Sequence, residues 1–403
     1  MKPKRAKIIL GVETSCDDTG IALLKVSENK TGANFEVLAN EISSQIKLHR
    51  QYGGVFPAMA KREHAKNIVP LFIVALKKAK LLKPLKKKTV RSPITDKKLQ
   101  KILEREPEIL EALRDFLDTY EKPEIDKIIV TTGPGLEPTL WVGINFARAL
   151  GFIFDLPIVP ANHMEGHIVS FLIPPKTLKF KIHAEKLPFP LLALLVSGGH
   201  TELVIAKGIG KYTLLGATRD DASGEAFDKI ARMLDLPYPG GPEISKLAEK
   251  SRQDKDSLNK FPISLPRPMI KSPDFDFSFS GLKTAVLYLL RDMQEKPTED
   301  QKIVIAREAE DAIVDVLVSK TIRAIQTYKV KTIVVGGGVA ANKHLRNELA
   351  RATKKLGQKI DLYFPTQSLS RDNALMIALA GYLKHQHTKK IFRAFKAEGD
   401  LKL

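Results

Sequence analysis

Lys7-Ile-Ile-Leu-Gly-Val-Glu-Thr-Ser-Cys-Asp-Asp-Thr-Gly-Ile-Ala-Leu-Leu24 and Leu191-Leu-Ala-Leu-Leu-Val-Ser-Gly-Gly-His-Thr-Glu-Leu-Val-Ile-Ala206 are the two stretches on which the fold turns. In the first, an apolar strand from Ile8 to Val12 runs through a polar turn, Glu13 to Thr19, into a second strand, Gly20 to Leu24. In the second, Leu192 to Val196 runs through Ser197 to Thr201 into Leu203 to Ala206. Turns rich in Gly, Ser, Thr, Asp or His present backbone N–H groups that can cradle phosphate. One such hairpin is common, but two copies half a chain apart predict a duplicated α/β lobe with a nucleotide in the cleft. Working outward, strands are expected at Lys127 to Thr131 and Thr332 to Val335 as well. They alternate with amphipathic helical stretches, which argues for an α/β protein rather than a bundle or a sandwich.

Composition narrows the function. With 403 residues, 43% hydrophobic and 28% charged, the chain can bury a full core and divide into two or three domains. The apolar stretch after the basic residues 1 to 5 is too short for a signal-peptide core, and no run approaches the ~20 residues that cross a bilayer. A cytoplasmic protein with no membrane role is therefore expected. Cys16 is the only cysteine, so an intrachain disulfide and a multi-cysteine zinc site are both excluded. Any metal must use His and carboxylate. The formal charge of +19 favours a polyanionic partner, because Lys and Arg that neutralise phosphates release condensed counterions.

Basic residues concentrate between Lys77 and Arg105, which includes Lys83, Lys86, Lys87, Lys88 and Arg91. This polybasic arm leads into Ile102 to Thr119, where apolar residues recur at near-helical spacing. A helical excursion is expected there, either touching RNA or lying as a solvated loop. The polar stretch from Lys384 to Leu403, with Lys389, Lys390 and Arg393, is expected to fray.

His163-Met-Glu-Gly-His167 is the strongest local motif. On a helix, residues four apart share a face, so both imidazoles can reach one ion. A zinc protease of the HExxH type needs its glutamate directly after the first histidine; Met164 stands there instead, so the protease reading weakens. Asp372, in Ser370-Arg-Asp-Asn373 before an apolar helix, is a candidate third ligand, with an ordinary helix cap as the alternative. Gly336-Gly-Gly-Val-Ala-Ala-Asn342 follows a strand and lets a ligand approach the backbone. The same run satisfies GxGxxA with Asp361 downstream, a dinucleotide-fold reading that explains neither hairpins nor histidines. Asp228, in Gly224 to Lys229, suits ribose hydroxyls, with capping as the plainer alternative, and Phe275 to Gly281 reads as a half-buried strand or edge.

Taken together, these motifs resemble the bacterial TsaD family, the catalytic subunit of tRNA threonylcarbamoyladenosine synthesis. The resemblance also covers Tyr52 to Pro57, Gly133 to Leu136, Tyr238 to Pro242 and Phe277 to Lys283. It implies the duplicated actin-like, sugar-kinase and heat-shock-chaperone (ASKHA) superfold. The first lobe would span 1–145, carry the insertion at about 82–123 and be completed by a C-terminal helix at about 372–386. The second would span 146–371, followed by a polar tail, 387–403. It implies one divalent metal, iron or else zinc, on His163, His167 and Asp372. Nucleotide contacts would come from Leu195, Val196, Ser197, Gly198, Gly199, Asp228, Gly241 and Asn342. The implied reaction moves a threonylcarbamoyl group from threonylcarbamoyl-AMP to the exocyclic amine of the tRNA adenosine next to the anticodon. Glu13, Asp17 and Asp18 are candidates for proton removal. The implied partners are tRNA, a paralogous TsaB-like subunit and a small TsaE-like ATPase; a metalloprotease or an ATP-binding module on the same superfold are the competing functions.

Overall fold

The computed structural model describes residues 5–29, 32–86, 93–175, 177–254, 261–293, 295–385 and 395–403. The chain forms two compact units: 1–47, 55–187 and 372–403 make the first, 48–54 and 188–371 the second. The expected boundary at 145/146 therefore moves to 187/188. It would have cut through the helix Glu137–Phe154, whose buried residues belong to the core of the first unit.

The first unit is built on a six-stranded sheet in the order β5-β4-β1-β2-β3-β6. Its strands are β1 (Lys7–Glu13), β2 (Asp18–Asn29), β3 (Gly32–Ser44), β4 (Lys127–Gly133), β5 (Ile158–Asn162) and β6 (Lys179–Ile182). The second unit carries a five-stranded sheet, β11-β10-β7-β8-β9. These strands are β7 (Leu191–Val196), β8 (Thr201–Gly208), β9 (Lys211–Ala217), β10 (Thr332–Gly336) and β11 (Asp361–Tyr363). In both, the strand that opens the hairpin runs parallel to its inner neighbour and antiparallel to the next strand, β4-β1-β2 in one and β10-β7-β8 in the other. The duplication read from the hairpins is thus present in the pairing of both sheets, and the fold is that of the ASKHA superfold.

The short α1 (Ile46–Arg50) runs across the 47/48 border, and the helices of the first unit are α2 (Pro57–Lys78), α3 (Pro93–Ile102), α4 (Pro107–Thr119), α5 (Glu137–Phe154) and α6 (His163–Val169). The second unit supplies α7 (Ser223–Met233), α8 (Gly240–Gln253), α9 (Ser280–Asp292), α10 (Glu299–Tyr328), α11 (Lys343–Lys354) and α12 (Gln367–Ser370), and α13 (Ala374–His385) returns to the first sheet. Side chains alternate between the faces of a strand, so Leu10 and Val12 enter one core with Ile68 and Phe72 of α2. Gly11 points to the opposite face. A Cβ there would lie 2.4 Å from the Ala374 carbonyl oxygen, and one on Gly20 would lie 2.9 Å from the Ala374 nitrogen. Glycine at these two positions lets the start of α13 sit directly on the sheet.

The insertion is a packed part of the first unit. Leu99, Leu103, Ile109, Leu113 and Phe116 are buried in its core, and the Phe116 ring lies 5.6 Å from that of Phe72. The single helical run expected from Ile102 to Thr119 is broken: Leu103 to Glu106 leave the helix and Pro107 opens the next one, where its missing N–H has no partner to lose. Lys83 pairs with Glu124 at 2.8 Å and Lys78 with Glu41 at 2.7 Å, while Lys87, Lys88 and Arg91 lie outside the described residues. Of the tail, Lys389, Lys390 and Arg393 are likewise outside them. Residues 395–403 do not fray as expected: Glu398 donates its N–H to the Thr132 carbonyl at 2.9 Å, and the Gly399 carbonyl accepts from Gly135 at 3.0 Å. Phe275 to Gly281 forms only an isolated bridge, Phe277 with Thr218, and α9 begins at Ser280. No helix among the described residues is long and apolar enough to cross a membrane.

Candidate active site

Two chain reversals in the first unit bring three ligand-type side chains together. Asn162 ends β5 and caps α6, its side-chain oxygen accepting from Met164 N at 2.8 Å and Glu165 N at 3.2 Å. The helix that follows is short, yet it places His163 and His167 on one face with ring centroids 4.7 Å apart. Between them, Gly166 is what lets α13 approach, since a Cβ there would lie 2.9 Å from Met376 Cγ and 3.0 Å from Ile377 Cδ1. Asn373 accepts from Met376 N at 3.0 Å and so provides the helix cap. Asp372, one residue upstream, is released from that duty. Its Oδ1 lies 3.3 Å from Nε2 of both His163 and His167.

The donor set fits a metal. One ligand atom from each of His163, His167 and Asp372 falls within 4.8 Å of the others. Both ring nitrogens of His167 are buried without a hydrogen-bond partner, because Nε2, though near Asp372, is not aligned to bond it. Leaving a buried polar atom unsatisfied costs about 1–3 kcal/mol, and an ion in front of Nε2 removes that penalty for one of the two nitrogens. Two imidazoles and one carboxylate with the remaining positions open is a set used by Fe(II), and zinc accepts it too.

Behind the cluster stands Glu13. Its Oε2 lies 3.0 Å from His163 Nδ1 and accepts from Thr131 Oγ1 at 2.6 Å, while Oε1 accepts from Ser15 N at 2.5 Å. Fully buried and engaged through both oxygens, Glu13 is placed to orient His163 rather than to take a proton from a substrate. Burial opposes the charged imidazole of His163, but Asp372 and Glu13 outweigh it and push this group up to about 10. Burial likewise resists the charged Asp372, yet the two imidazoles hold its carboxyl well below the ordinary carboxylate range. Burial carries His167 the other way, toward the neutral form that binds metal. Asp17 and Asp18 directly follow Cys16, whose thiol is pushed up by burial and then by Asp17, Asp372 and Asp18. Glu165 is buried against Lys384, at 2.9 and 3.0 Å, so it cannot serve as the base a protease would need.

In the second unit the predicted ligand residues divide into an open group and a committed one. The β7–β8 turn is closed by Ser197 N donating to the His200 carbonyl at 2.8 Å and His200 N donating to Ser197 Oγ at 3.1 Å. A Cβ on Gly198 or Gly199 would meet nothing within 4 Å, and neither has a positive φ. Neither internal packing nor backbone strain demands glycine here, so the requirement left is room in front of the turn. Leu195 and Val196 differ: their side chains are fully buried and their backbones pair with β8, so they support the turn from below. The chain after β10 also reaches this turn, with Gly337 at φ +90° and its Cβ position 2.3 Å from the Val196 carbonyl. Gly224 N donates to the Ser197 carbonyl at 3.1 Å. Asp228 accepts from Gly240 N at 2.6 Å and so pins the start of α8, where Gly241 has space above it. Asn342 caps α11 through Leu345 N at 2.8 Å and donates to Ser245 Oγ at 2.9 Å and Glu310 Oε1 at 2.7 Å.

Sequence reasoning missed Asn373, Lys384, Thr131 and Glu310 as members of these sites. Asn373 alone carried a signal, a second cap-forming residue directly after Asp372.

Comparison with known proteins gives the family: the chain belongs to the TsaD family. The family described as TsaD, tRNA N6-adenosine threonylcarbamoyltransferase, matches residues 36–85 and 104–379. Curated proteins named tRNA N6-adenosine threonylcarbamoyltransferase are similar over nearly their whole length. That of Chromobacterium violaceum is 39% identical over 381 residues, 94% of this chain and 93% of its own. The Bacillus cereus protein is 38% identical over 396 residues, 98% and 96%, and that of Burkholderia mallei 41% over 382 residues, 94% and 92%. Among solved structures, full-length HypF in its phosphate- and nucleotide-bound form superposes with a TM-score of 0.50 at 10% identity, covering 97% of this chain. The chain spans 48% of that protein, and the likeness is one of fold.

Proposed function

We propose that this chain, which belongs to the TsaD family of tRNA N6-adenosine threonylcarbamoyltransferases, transfers the threonylcarbamoyl group of threonylcarbamoyl-AMP to the N6 amine of the tRNA adenosine beside the anticodon. The amine attacks the carbamoyl carbon, the bond from that carbon to the adenylate phosphate oxygen breaks, and AMP leaves as the amine loses a proton. The observation that carries the reading is the buried His163–His167–Asp372 cluster, whose His167 nitrogens have no hydrogen-bond partner within the protein.

A divalent ion at this cluster, which we assign as iron with zinc the second choice, would supply Lewis-acid polarisation and an anchor for the substrate's oxygens. His163, His167 and Asp372 would hold it, and Glu13, bonded to Nδ1 of His163, leaves Nε2 as the nitrogen that would serve as ligand. Gly198 and Gly199 offer backbone N–H groups in open space for the adenylate, above a turn closed by Ser197, with Asp228, Gly241 and Asn342 lining the nucleotide's other side. An adenine amine is a poor nucleophile, so holding it against the carbamoyl carbon matters most; well-oriented reactants gain about 7–11 kcal/mol. The +19 charge suits tRNA as the acceptor, and a TsaB-like paralogue and a TsaE-like ATPase complete the proposed assembly.

The competing readings fare worse. The metalloprotease reading is disfavoured because Glu165, the glutamate of the histidine motif, is held by Lys384. An ATP-binding module has no use for the histidine pair. The test is mass analysis of tRNA nucleosides after incubating the purified protein with threonylcarbamoyl-AMP, tRNA and the partner subunits. The native chain should yield threonylcarbamoyladenosine, and His167→Ala should lose both bound metal and product while keeping its circular dichroism spectrum. Full transfer by a metal-free His167→Ala protein would sink the assignment.

A further inference from the structure

Glu310 belongs to none of the motifs that point to the nucleotide, yet it joins two of them. It sits in the middle of the long helix α10 and is 1% exposed. Its Oε1 accepts from Ser245 Oγ at 2.7 Å and from Asn342 Nδ2 at 2.7 Å, and its Oε2 accepts from Arg252 Nη1 at 2.6 Å. Ser245 and Arg252 lie on α8, the helix that opens with Gly240 and Gly241. Asn342 closes the glycine turn after β10. The next residue, Asp311, repeats the grip from its own side, ion-paired with Arg252 of α8 and with His344 of α11 at 2.8 Å.

Such an arrangement is a poor way to gain stability. A buried carboxylate loses hydration that ion pairing repays only with good geometry, and well-packed apolar residues of similar volume are often as stable or more so. What it does provide is a fixed spacing, since each acceptor oxygen holds its donors to hydrogen-bond length along a set direction. The two segments so spaced are the ones assigned to the nucleotide.

We infer that Glu310 is a positioning residue for nucleotide binding, setting the separation of the Gly240–Gly241 helix start from the Gly336–Asn342 turn. The inference rests on the reading of those segments as the nucleotide pocket. Glu310 touches no substrate itself. It acts through Asn342 and Ser245.

The experiment uses the full-length protein and AMP as the probe, with binding followed by calorimetry. Native protein should bind AMP. Glu310→Gln, which loses the charge toward Arg252 and presents it an amide donor, should weaken AMP binding about tenfold, the loss of one charge-assisted contact. In the transfer assay the same variant should raise KM for threonylcarbamoyl-AMP by a similar factor, with kcat and bound metal unchanged. Ser245→Ala, a milder change that keeps the charge pair, should weaken AMP binding about threefold, and it carries the test if Glu310→Gln does not fold. In a double-mutant cycle, Glu310→Gln should add little to Asn342→Ala, because the two act in series. A folded Glu310→Gln or Ser245→Ala protein with native AMP affinity overturns the inference alone. Failure of the native protein to bind AMP takes down the nucleotide reading and this inference together.

Discussion

The turn at 13–19 and the turn at 197–200 occupy the same place in two sheets of the same pairing pattern, yet they have gone opposite ways. The first is largely buried, with Glu13 and Ser15 both at Nδ1 of His163 and Thr131 donating to Glu13. The second has two glycines at its centre, with nothing within 4 Å of where their Cβ atoms would be. A duplicated scaffold can therefore divide its labour: one copy of a turn supports His163, the proposed metal ligand, and the other leaves open space in front of its glycines, where the proposed nucleotide would lie. The difference lies in residue type at equivalent places, a carboxylate where the protein must hold an imidazole and glycine where something else must come close.

The largest effect should come from Glu13→Gln. Partners that orient metal-bound histidines are worth about 10–100-fold in metal affinity, so the apparent Kd for Fe(II) or Zn(II) should rise by that factor while AMP affinity stays native. Equal losses in both measurements would mean that the two turns do not divide the work as described. Next comes Gly199→Ala, whose Cβ would meet nothing within 4 Å in the free protein: Tm should not change, and AMP binding should fall about tenfold by steric loss of one good contact. Gly166→Val makes the contrast, because its side chain would strike Met376 and Ile377; it should lower Tm and bound metal together. The smallest effect is on pH. Burial disfavours the charged His163, but Asp372 and Glu13 hold it protonated up to about 10 when no ion is bound, so metal uptake must expel that proton. Affinity should then rise with pH between 6 and 9 by up to about tenfold per unit. A flat profile would remove the proton from His163 in the metal-free state.

Much of this was legible in the chain. The two hairpins announced the duplicated sheets because an apolar run, a polar turn and a second apolar run leave little choice but an antiparallel pair. His163 and His167 could be joined from spacing alone. The partner that unites them could not, since nothing local says whether an aspartate before a helix caps it or faces away. Here Asn373 takes the cap and decides the matter. Spacing shows that Leu195 and Val196 precede a turn, but not that both are buried strand residues whose backbones are committed to β8. The domain boundary was misplaced because an internal helix such as α5 has the same apolar signature on either side of a border. Glu310 was invisible for the opposite reason, being one acid among the many along a long helix.

The first unit is completed by residues that come late in the chain, and this sets an order on its maturation. His163 and His167 leave the ribosome well before Asp372 and α13, a delay of ~10–40 s at translation rates of about 5–20 residues per second. During that interval the two imidazoles lack both their carboxylate and the helix that shields them. Under the proposed metal reading, selection of the ion would belong to the end of synthesis, when α13 docks on Gly11 and Gly20 and brings Asp372 to the two imidazoles.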